Sequence, residues 1–105
     1  ETEFNRQVHV VLLKIESAID AANNDLDYET VGGILELECE DGSKIIINRQ
    51  TPNREIWVAA KSGGFHFKRE KDQWIDTRNA KELSKALTDI IFAQSGEKIV
   101  IDLTT

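Results

Sequence analysis

The chain has 105 residues, of which 40% are apolar, and its formal net charge is -6. This length and composition are typical of one small domain with a modest core, so we expect a single domain over residues 1–105. The excess of acidic residues argues against a nucleic-acid partner, and no apolar run approaches the roughly 20 residues that a membrane span needs.

Hydrophobic periodicity predicts one helix followed by antiparallel strands in the first half of the chain. Residues 4–22 place their apolar side chains in one stripe at helical spacing, which predicts an amphipathic helix. Residues 25–30 alternate between acidic and less polar positions, which predicts a short strand, and the Val-Gly-Gly at 31–33 is interpreted as the break after it. Residues 34–40 and 44–50 are predicted as strands joined at an Asp-Gly hairpin signal.

The second half predicts three more strands and a second helix. Residues 54–60, 65–70 and 74–76 have strand character and are separated by turns. Residues 79–95 are predicted as a helix with Asn79 as its N-cap and Glu82 three residues later. Residues 98–105 could form a last strand or pack along the helices without pairing.

This order of elements predicts an α+β fold. We expect a two-layer sandwich in which two helices are packed on one face of a five- to six-stranded antiparallel sheet. Two helices can cover only one face of such a sheet, so the other face must meet solvent or a partner.

The first candidate site is an acidic edge formed by the first helix and the first strand. Residues 1–41 hold eleven acids against two bases, a distribution that favours a cation or a basic protein surface as partner. Glu16 and Asp20 lie four residues apart outside the apolar stripe, and Asp25, Asp27 and Glu29 share one face of the strand. Exposed carboxylates suit hard cations that bind weakly, whereas the alternative is a solvated charged face without a ligand.

Histidine and cysteine add no metal-binding set to this edge. His9 faces the acidic side of the helix but lies about 10 Å along the axis from Glu16, so it is either a peripheral metal contact or an ordinary surface residue. Cys39 is the only cysteine, which indicates a packing role and favours a reducing, cytoplasmic compartment.

The second candidate site is the uncovered face of the sheet. If Ile56 and Val58 face the core, Trp57 points to the opposite face. Gln50 and the neighbourhood of Arg49 can lie beside Trp57, and Trp and Arg often dominate the binding energy of protein interfaces. The alternative is that Trp57 folds over neighbouring aliphatic side chains and has no partner.

Three stretches of the sequence carry a family pattern. Residues 42–67, GSKIIINRQTPNREIWVAAKSGGFHF, contain an Asn-x-Gln-x-Pro turn followed by a strand ending in Ile-Trp-hydrophobic-Ala/Ser. Residues 25–37, DLDYETVGGILEL, and residues 73–75, QWI, complete the pattern. In these stretches, and in order over essentially the whole chain, the sequence resembles the frataxin family, in particular its bacterial members.

The resemblance implies an α+β sandwich whose acidic ridge binds ferrous and ferric iron, in a non-enzymatic protein that assists or restrains iron-sulfur cluster assembly. It also implies contacts with the cysteine desulfurase through the ridge and with the iron-sulfur scaffold protein through the sheet face. Iron would bind weakly and reversibly, other divalent or lanthanide cations could substitute, and the protein would be monomeric without iron. Carried over by position, the ridge residues are Glu16, Asp20, Asp25, Asp27 and Glu29, and the sheet-face residues are Asn48, Gln50 and Trp57.

Two other functions stay open at this point. One is a ferroxidase-type enzyme, which would need a preorganised two-metal pocket that exposed, loosely spaced carboxylates do not provide. The other is a metal-independent protein-interaction module whose acids serve only docking and solubility. The end of the first helix departs from the family because Ser17, Ala21, Asn23 and Asn24 stand where bacterial relatives are richer in acids, which argues against a high iron stoichiometry.

Overall fold

A computed structural model of the protein describes residues 2–103, with the backbone only for Thr2. Two helices and six strands form in the order of one helix, six strands and one helix. The elements are α1 (Thr2–Ala21), β1 (Asp27–Val31), β2 (Ile34–Glu38), β3 (Lys44–Gln50), β4 (Glu55–Ala60), β5 (Gly63–Glu70), β6 (Gln73–Asp76) and α2 (Leu83–Ser95).

The six strands form one antiparallel sheet in which every strand pairs with its neighbours in sequence, in the order β1-β2-β3-β4-β5-β6. Side chains alternate across the sheet, and one face carries the buried residues of β2 to β5, such as Leu35, Ile47, Val58 and Phe67. These residues form one core with the apolar stripes of the two helices. The predicted α+β two-layer sandwich is therefore confirmed, with six strands.

The segment that connects α1 to β1 is held by Asn24. Its side-chain amide donates hydrogen bonds to the carbonyl oxygens of Ile19, at 2.9 Å, and Ala22, at 2.8 Å. Its Oδ1 accepts a hydrogen bond of 2.9 Å from the backbone N–H of Leu26. Asn24 thus satisfies carbonyl groups that the end of the helix leaves unpaired and fixes the direction in which the chain enters β1.

Strand β1 starts two residues later than predicted and includes Val31, which the sequence pattern assigned to the break. The break is a two-residue hairpin turn at Gly32 and Gly33, whose φ angles are 59° and 80°. Both angles lie in the left-handed region that such tight hairpins favour, and this allows Val31 to pair directly with Ile34.

The other strands differ from the predictions only at their ends. β2 ends at Glu38, so the buried Cys39 lies just after the strand. β4 begins at Glu55 rather than at 54. β5 begins at Gly63, because the chain reverses within two residues and Ala60 pairs with Gly63.

The prediction that α2 begins after an Asn79 cap was wrong. The helix begins at Leu83, and Glu82 is its N-cap without a side-chain capping bond. Asn79 instead accepts a hydrogen bond of 2.9 Å from the backbone N–H of Lys81 inside a loop. The buried Asp76 organises this loop by accepting a bond of 2.7 Å from the N–H of Arg78.

Residues 98–103 do not join the sheet, so the unpaired alternative for this segment is confirmed over the described residues. Ile99 and Ile101 are buried in the core, and the N–H of Ile101 donates a 3.3 Å bond to the hydroxyl of Thr88 on α2. Positions 104 and 105 of the predicted strand lie outside the described residues. Among the helices described, none is long and apolar enough to cross a membrane.

Candidate functional site

On the helix side of the acidic ridge, two hydroxyl groups of β1 donate hydrogen bonds to carboxylates of α1. The Tyr28 hydroxyl donates to the Asp20 carboxylate, with distances of 2.9 and 2.8 Å to its two oxygens. Thr30, two residues along the strand, donates to the carboxylate of Glu16. The bond to the Asp20 carboxylate raises the pKa of the Tyr28 hydroxyl, because deprotonation would place two negative charges side by side.

The two predicted acids of β1, Asp27 and Glu29, lie on the face of the strand opposite to Tyr28 and Thr30. Asp27 pairs with Glu38 across β1 and β2, and Glu29 pairs with Glu36. Directly opposed residues of an antiparallel pair share one face, so four carboxylates gather on the uncovered face of the sheet. Glu36 and Glu38 were not predicted as site residues, although their alternation with Leu35 and Leu37 placed them on the polar side of β2.

Lys44 on β3 compensates part of this charge. Its Nζ lies 2.7 Å from a carboxylate oxygen of Glu36. The hydrogen bond to Glu36 raises the pKa of Lys44, and the charges of Glu36, Glu38 and Glu29 act in the same direction.

Asp25 lies before β1, in the loop that Asn24 holds. Its backbone N–H donates a 2.9 Å hydrogen bond to the carboxylate of Glu97, which follows α2. A further carboxylate therefore reaches this end of the ridge from the other end of the sequence.

The five predicted ridge residues thus line one edge of the molecule, but they are distributed over α1, the loop before β1 and the uncovered face of β1. Within residues 2–103, the salt bridges of lysine and arginine side chains involve other acids: Glu3, Glu36, Asp41, Asp72 and Asp89. In the same range, no group of three or more His, Cys, Asp or Glu side chains is arranged to hold a metal ion. The assignment of Glu16, Asp20, Asp25, Asp27 and Glu29 as iron ligands stays a prediction.

The three predicted sheet-face residues lie together on the uncovered face. Asn48 pairs with Trp57, and Gln50 pairs with Glu55 two residues further along the same strands. All four side chains are half-buried. Their position on one face is confirmed, whereas their role in binding a partner stays a prediction.

Trp57 packs against a histidine that the sequence analysis did not place in the site. The indole stacks on the imidazole of His66, with ring centroids 4.2 Å apart and an angle of 9° between the planes. The indole Nε1 donates a 2.7 Å hydrogen bond to Glu55, and His66 Nδ1 lies 3.9 Å from the same carboxylate oxygen. Trp57 is therefore held by two polar neighbours, His66 and Glu55, which differs from the predicted alternative of packing over aliphatic side chains.

The prediction that Arg49 could lie beside Trp57 was wrong. Arg49 pairs with the buried Ile56, so its side chain leaves β3 on the helix-covered face. Its guanidinium lies against the hairpin turn, where a Cβ added to Gly33 would be 2.9 Å from the Cζ atom. Arg49 supports the tip of the β1–β2 hairpin instead of the Trp57 face.

Comparison with known proteins places the chain in a family. A family model described as "Frataxin-like domain" matches residues 1–97. The protein named "Iron-sulfur cluster assembly protein CyaY" in Cupriavidus taiwanensis is 46% identical over 103 residues, covering 94% of this chain and 93% of that protein. The protein of the same name in Vibrio cholerae is 55% identical over 83 residues, covering 79% and 80%.

Solved structures agree with the sequence matches. The frataxin from Psychromonas ingrahamii superposes with a TM-score of 0.90 at 36% sequence identity, covering 99% of this chain and 97% of that one. Yeast frataxin shares the fold with a TM-score of 0.64 at 24% identity, covering 87% and 79%. The chain belongs to the frataxin-like family.

Proposed function

We propose that this protein assists iron-sulfur cluster assembly as a non-enzymatic regulator. In this function, the ridge binds ferrous or ferric iron weakly and contacts the cysteine desulfurase, and the sheet face around Trp57 contacts the scaffold protein. Family membership and the name of the relatives in Cupriavidus and Vibrio, iron-sulfur cluster assembly protein, support the proposal.

The observation that carries the proposal is that the ridge carboxylates are gathered at one edge without a direct salt bridge to lysine or arginine in the described part of the chain. None of the salt bridges to lysine or arginine found within residues 2–103 involves Glu16, Asp20, Asp25, Asp27 or Glu29. Like charges gathered at one edge repel each other, and a bound cation or a basic protein surface relieves that repulsion. The ridge therefore favours both kinds of partner.

The donor atoms decide how iron would be held. Carboxylate and hydroxyl oxygens are hard ligands that suit ferrous and ferric ions, and exposed carboxylates leave most coordination positions to water. Binding of this kind is weak and exchangeable, as a protein that delivers or senses iron requires. Other divalent or lanthanide ions should compete for the same oxygens.

Iron binding is tested by anaerobic titration of the ¹⁵N-labelled protein with ferrous iron. Paramagnetic broadening should first affect the amides of residues 16–29 and weaken as salt is added. The variant carrying Asp20→Asn, Asp27→Asn and Glu29→Gln should lose this broadening, whereas a control with Glu70→Gln and Asp72→Asn should keep it. Equal broadening in both variants would reject the ridge as the iron-binding site.

The contact with the desulfurase is tested by charge reversal. Glu16→Lys, Asp20→Lys and Asp27→Lys together should abolish measurable binding to a purified cysteine desulfurase in calorimetry, because they replace attraction by repulsion. Glu70→Lys at the other end of the sheet is the control and should bind nearly as well as the wild type. Unchanged affinity in the triple variant would reject the electrostatic contact.

The contact with the scaffold protein is tested at Trp57. Trp57→Ala should weaken binding to a purified iron-sulfur scaffold protein by at least about tenfold, the loss typical of a central aromatic contact. Phe92→Ala is the control, because Phe92 is 53% exposed on α2, a helix that covers the opposite face of the sheet. Equal affinities of the two variants would reject the sheet face as the contact.

A second candidate function is a metal-independent interaction module. It is favoured by the hydrogen bonds that Asp20 and Glu16 accept from Tyr28 and Thr30, because these bonds occupy carboxylate oxygens that iron would need. Calorimetry and thermal melting with ferrous iron, a lanthanide and magnesium distinguish the two functions, since a bound ion raises the melting temperature. A ferroxidase would instead show catalytic oxygen consumption above the background oxidation of iron.

A further inference from the structure

The uncovered face contains a continuous row of five residues, one from each of the first five strands. The register pairs Val31 with Ile34, Ile34 with Asn48, Asn48 with Trp57, and Trp57 with His66. Neighbouring strands lie about 4.8 Å apart, so this cross-strand row spans roughly 19 Å from the hairpin turn to β5.

The hairpin end of the cross-strand row exposes apolar side chains. Val31 is 64% exposed and Ile34 is 42% exposed, although both lie in strands. They adjoin each other, and Asn48 lies between them and the Trp57–His66 stack in the same row. Phe92 and Val100 are exposed elsewhere on the molecule. Exposed apolar residues that share one face and one row with an aromatic pair indicate a contact surface more strongly than scattered ones do.

The two sides of the row carry different charges. Toward the start of β1, the next positions on the same face are Glu29 and Glu36, followed by Asp27 and Glu38. Lys44 compensates only part of this group, through its 2.7 Å contact with Glu36. On the opposite side lie Gln50, Glu55 and Lys68, and Glu55 is already engaged by Trp57 and His66.

The hairpin that carries Val31 and Ile34 is fixed to the sheet. The backbone N–H of Arg49 donates a 3.3 Å hydrogen bond to the carbonyl oxygen of Gly33, and the guanidinium of Arg49 lies against the same glycine. The two apolar side chains are therefore presented on a supported turn, which lowers the entropy that binding would have to remove.

From these observations we infer that the cross-strand row docks a protein segment that presents apolar side chains and carries basic residues along one flank. The apolar side chains of the segment contact Val31, Ile34 and Trp57. Its basic residues lie over the carboxylates of Asp27, Glu29, Glu36 and Glu38. The unequal charge of the two sides fixes the orientation of the segment on the sheet. The inference rests on the proposed function, because it extends the proposed scaffold contact at Trp57 to the hairpin tip and states the chemistry of the surface that binds there.

The test combines a scaffold protein with three synthetic peptides. A purified iron-sulfur scaffold protein is titrated by calorimetry into the wild type, into the double variant Val31→Thr/Ile34→Thr, into Trp57→Ala and into the control Val100→Thr. Threonine keeps the β-branched shape that strands favour, so the variants should fold. Val100 is 76% exposed outside the sheet, so its substitution removes an equally accessible apolar group.

The peptides test the stated chemistry directly. One alternates leucine with lysine, the second leucine with glutamate, and the third serine with lysine. In amide shift titrations the leucine–lysine peptide should bind most tightly and shift the signals of residues 31, 34, 48 and 57. The double variant should weaken it by about fivefold or more, and Val100→Thr should leave it unchanged.

The outcomes separate the inference from the proposed function. If the double variant and Trp57→Ala both weaken scaffold binding while Val100→Thr does not, the inference holds. If only Trp57→Ala weakens it, the hairpin tip is excluded and the proposed scaffold contact remains. If the scaffold protein does not bind the wild type, the proposed scaffold contact fails, and the peptide titrations alone test the inference. Equal binding of the leucine–lysine and leucine–glutamate peptides would then overturn it. Unchanged binding of the leucine–lysine peptide to the double variant would overturn it as well.

Discussion

The indole of Trp57 and the imidazole of His66 are stacked on the uncovered face, with centroids 4.2 Å apart and planes only 9° from parallel. The two residues are direct cross-strand partners on β4 and β5. Because Glu55 contacts both rings from one side, a small change at any of the three residues should alter the position of the indole.

Removing the imidazole should therefore lower stability and change the environment of Trp57. We expect His66→Ala to lower the free energy of unfolding by about 0.5–1 kcal/mol, as the loss of an aromatic cross-strand pair typically does. His9→Ala is the matched control, because His9 is exposed on α1, away from the sheet face. Urea unfolding followed by circular dichroism measures both variants, and equal stabilities would show that the stack contributes nothing.

Tyr28 is the only tyrosine, so its ionisation can be followed directly by ultraviolet absorbance. Its pKa should lie above the usual value of about 10, because its hydroxyl donates to the Asp20 carboxylate. Asp20→Asn should lower the pKa of Tyr28 toward the usual value by removing the neighbouring charge. Asp27→Asn, on the opposite face of β1, should leave it unchanged.

The same bond predicts a pH dependence of stability. A raised folded-state pKa means that the neutral phenol is favoured in the folded protein. The stabilisation is complete below the unfolded pKa of about 10 and is lost as the pH rises through the folded value. The stability difference between the wild type and Tyr28→Phe should therefore shrink in that alkaline range, and a constant difference would contradict the assignment.

The two glycines of the β1–β2 turn should differ in their tolerance of alanine. Both have positive φ, so either substitution should lower the free energy of unfolding by about 1 kcal/mol. Gly33→Ala should cost slightly more, because its Cβ would meet the Arg49 guanidinium and displace this flexible end of the side chain, whereas nothing lies within 4 Å of a Cβ at Gly32. In an Arg49→Ala background this excess should disappear, which a double-mutant cycle measures.

Asn24 should be far more important than its neighbour Asn23. Asn24→Ala removes two bonds to helix carbonyls and one to the N–H of Leu26, so we expect a loss of about 1–3 kcal/mol in the free energy of unfolding. Asn23→Ala is the control, since Asn23 is exposed. Similar midpoints in urea for the two variants would refute the capping role of Asn24.

The order of helices and strands could be predicted from the sequence, because the period of the apolar residues changes clearly between helix and strands. It failed where a local signal competed with tertiary structure. Asn79 has the spacing of a helix cap, yet Asp76 is buried and the backbone of Ile75 forms a bridge with Glu82. This pairing holds the backbone of Glu82 in an extended conformation, so the helix begins only at Leu83.

Alternation correctly assigned Trp57, Asn48 and Gln50 to the uncovered face, because period two fixes the face of each side chain. It could not identify His66 as the partner of Trp57, since that contact depends on the register between β4 and β5. The two-residue connection between Ala60 and Gly63 sets that register, and the sequence pattern had placed this turn over four residues. Similarly, alternation placed the side chains of Tyr28 and Asp27 on different faces of the strand but gave no distance between the Tyr28 hydroxyl and α1.

The sequential strand order also determines how this molecule can fold during synthesis. Each strand pairs with the one made just before it, so successive hairpins can form as the chain leaves the ribosome. The helix that completes the cover of their apolar side follows all six strands, with Ile99 and Ile101 behind it. The growing sheet therefore keeps part of its apolar side open to water until α2 has been translated, which makes this interval the stage at which a nascent chain most needs protection from aggregation.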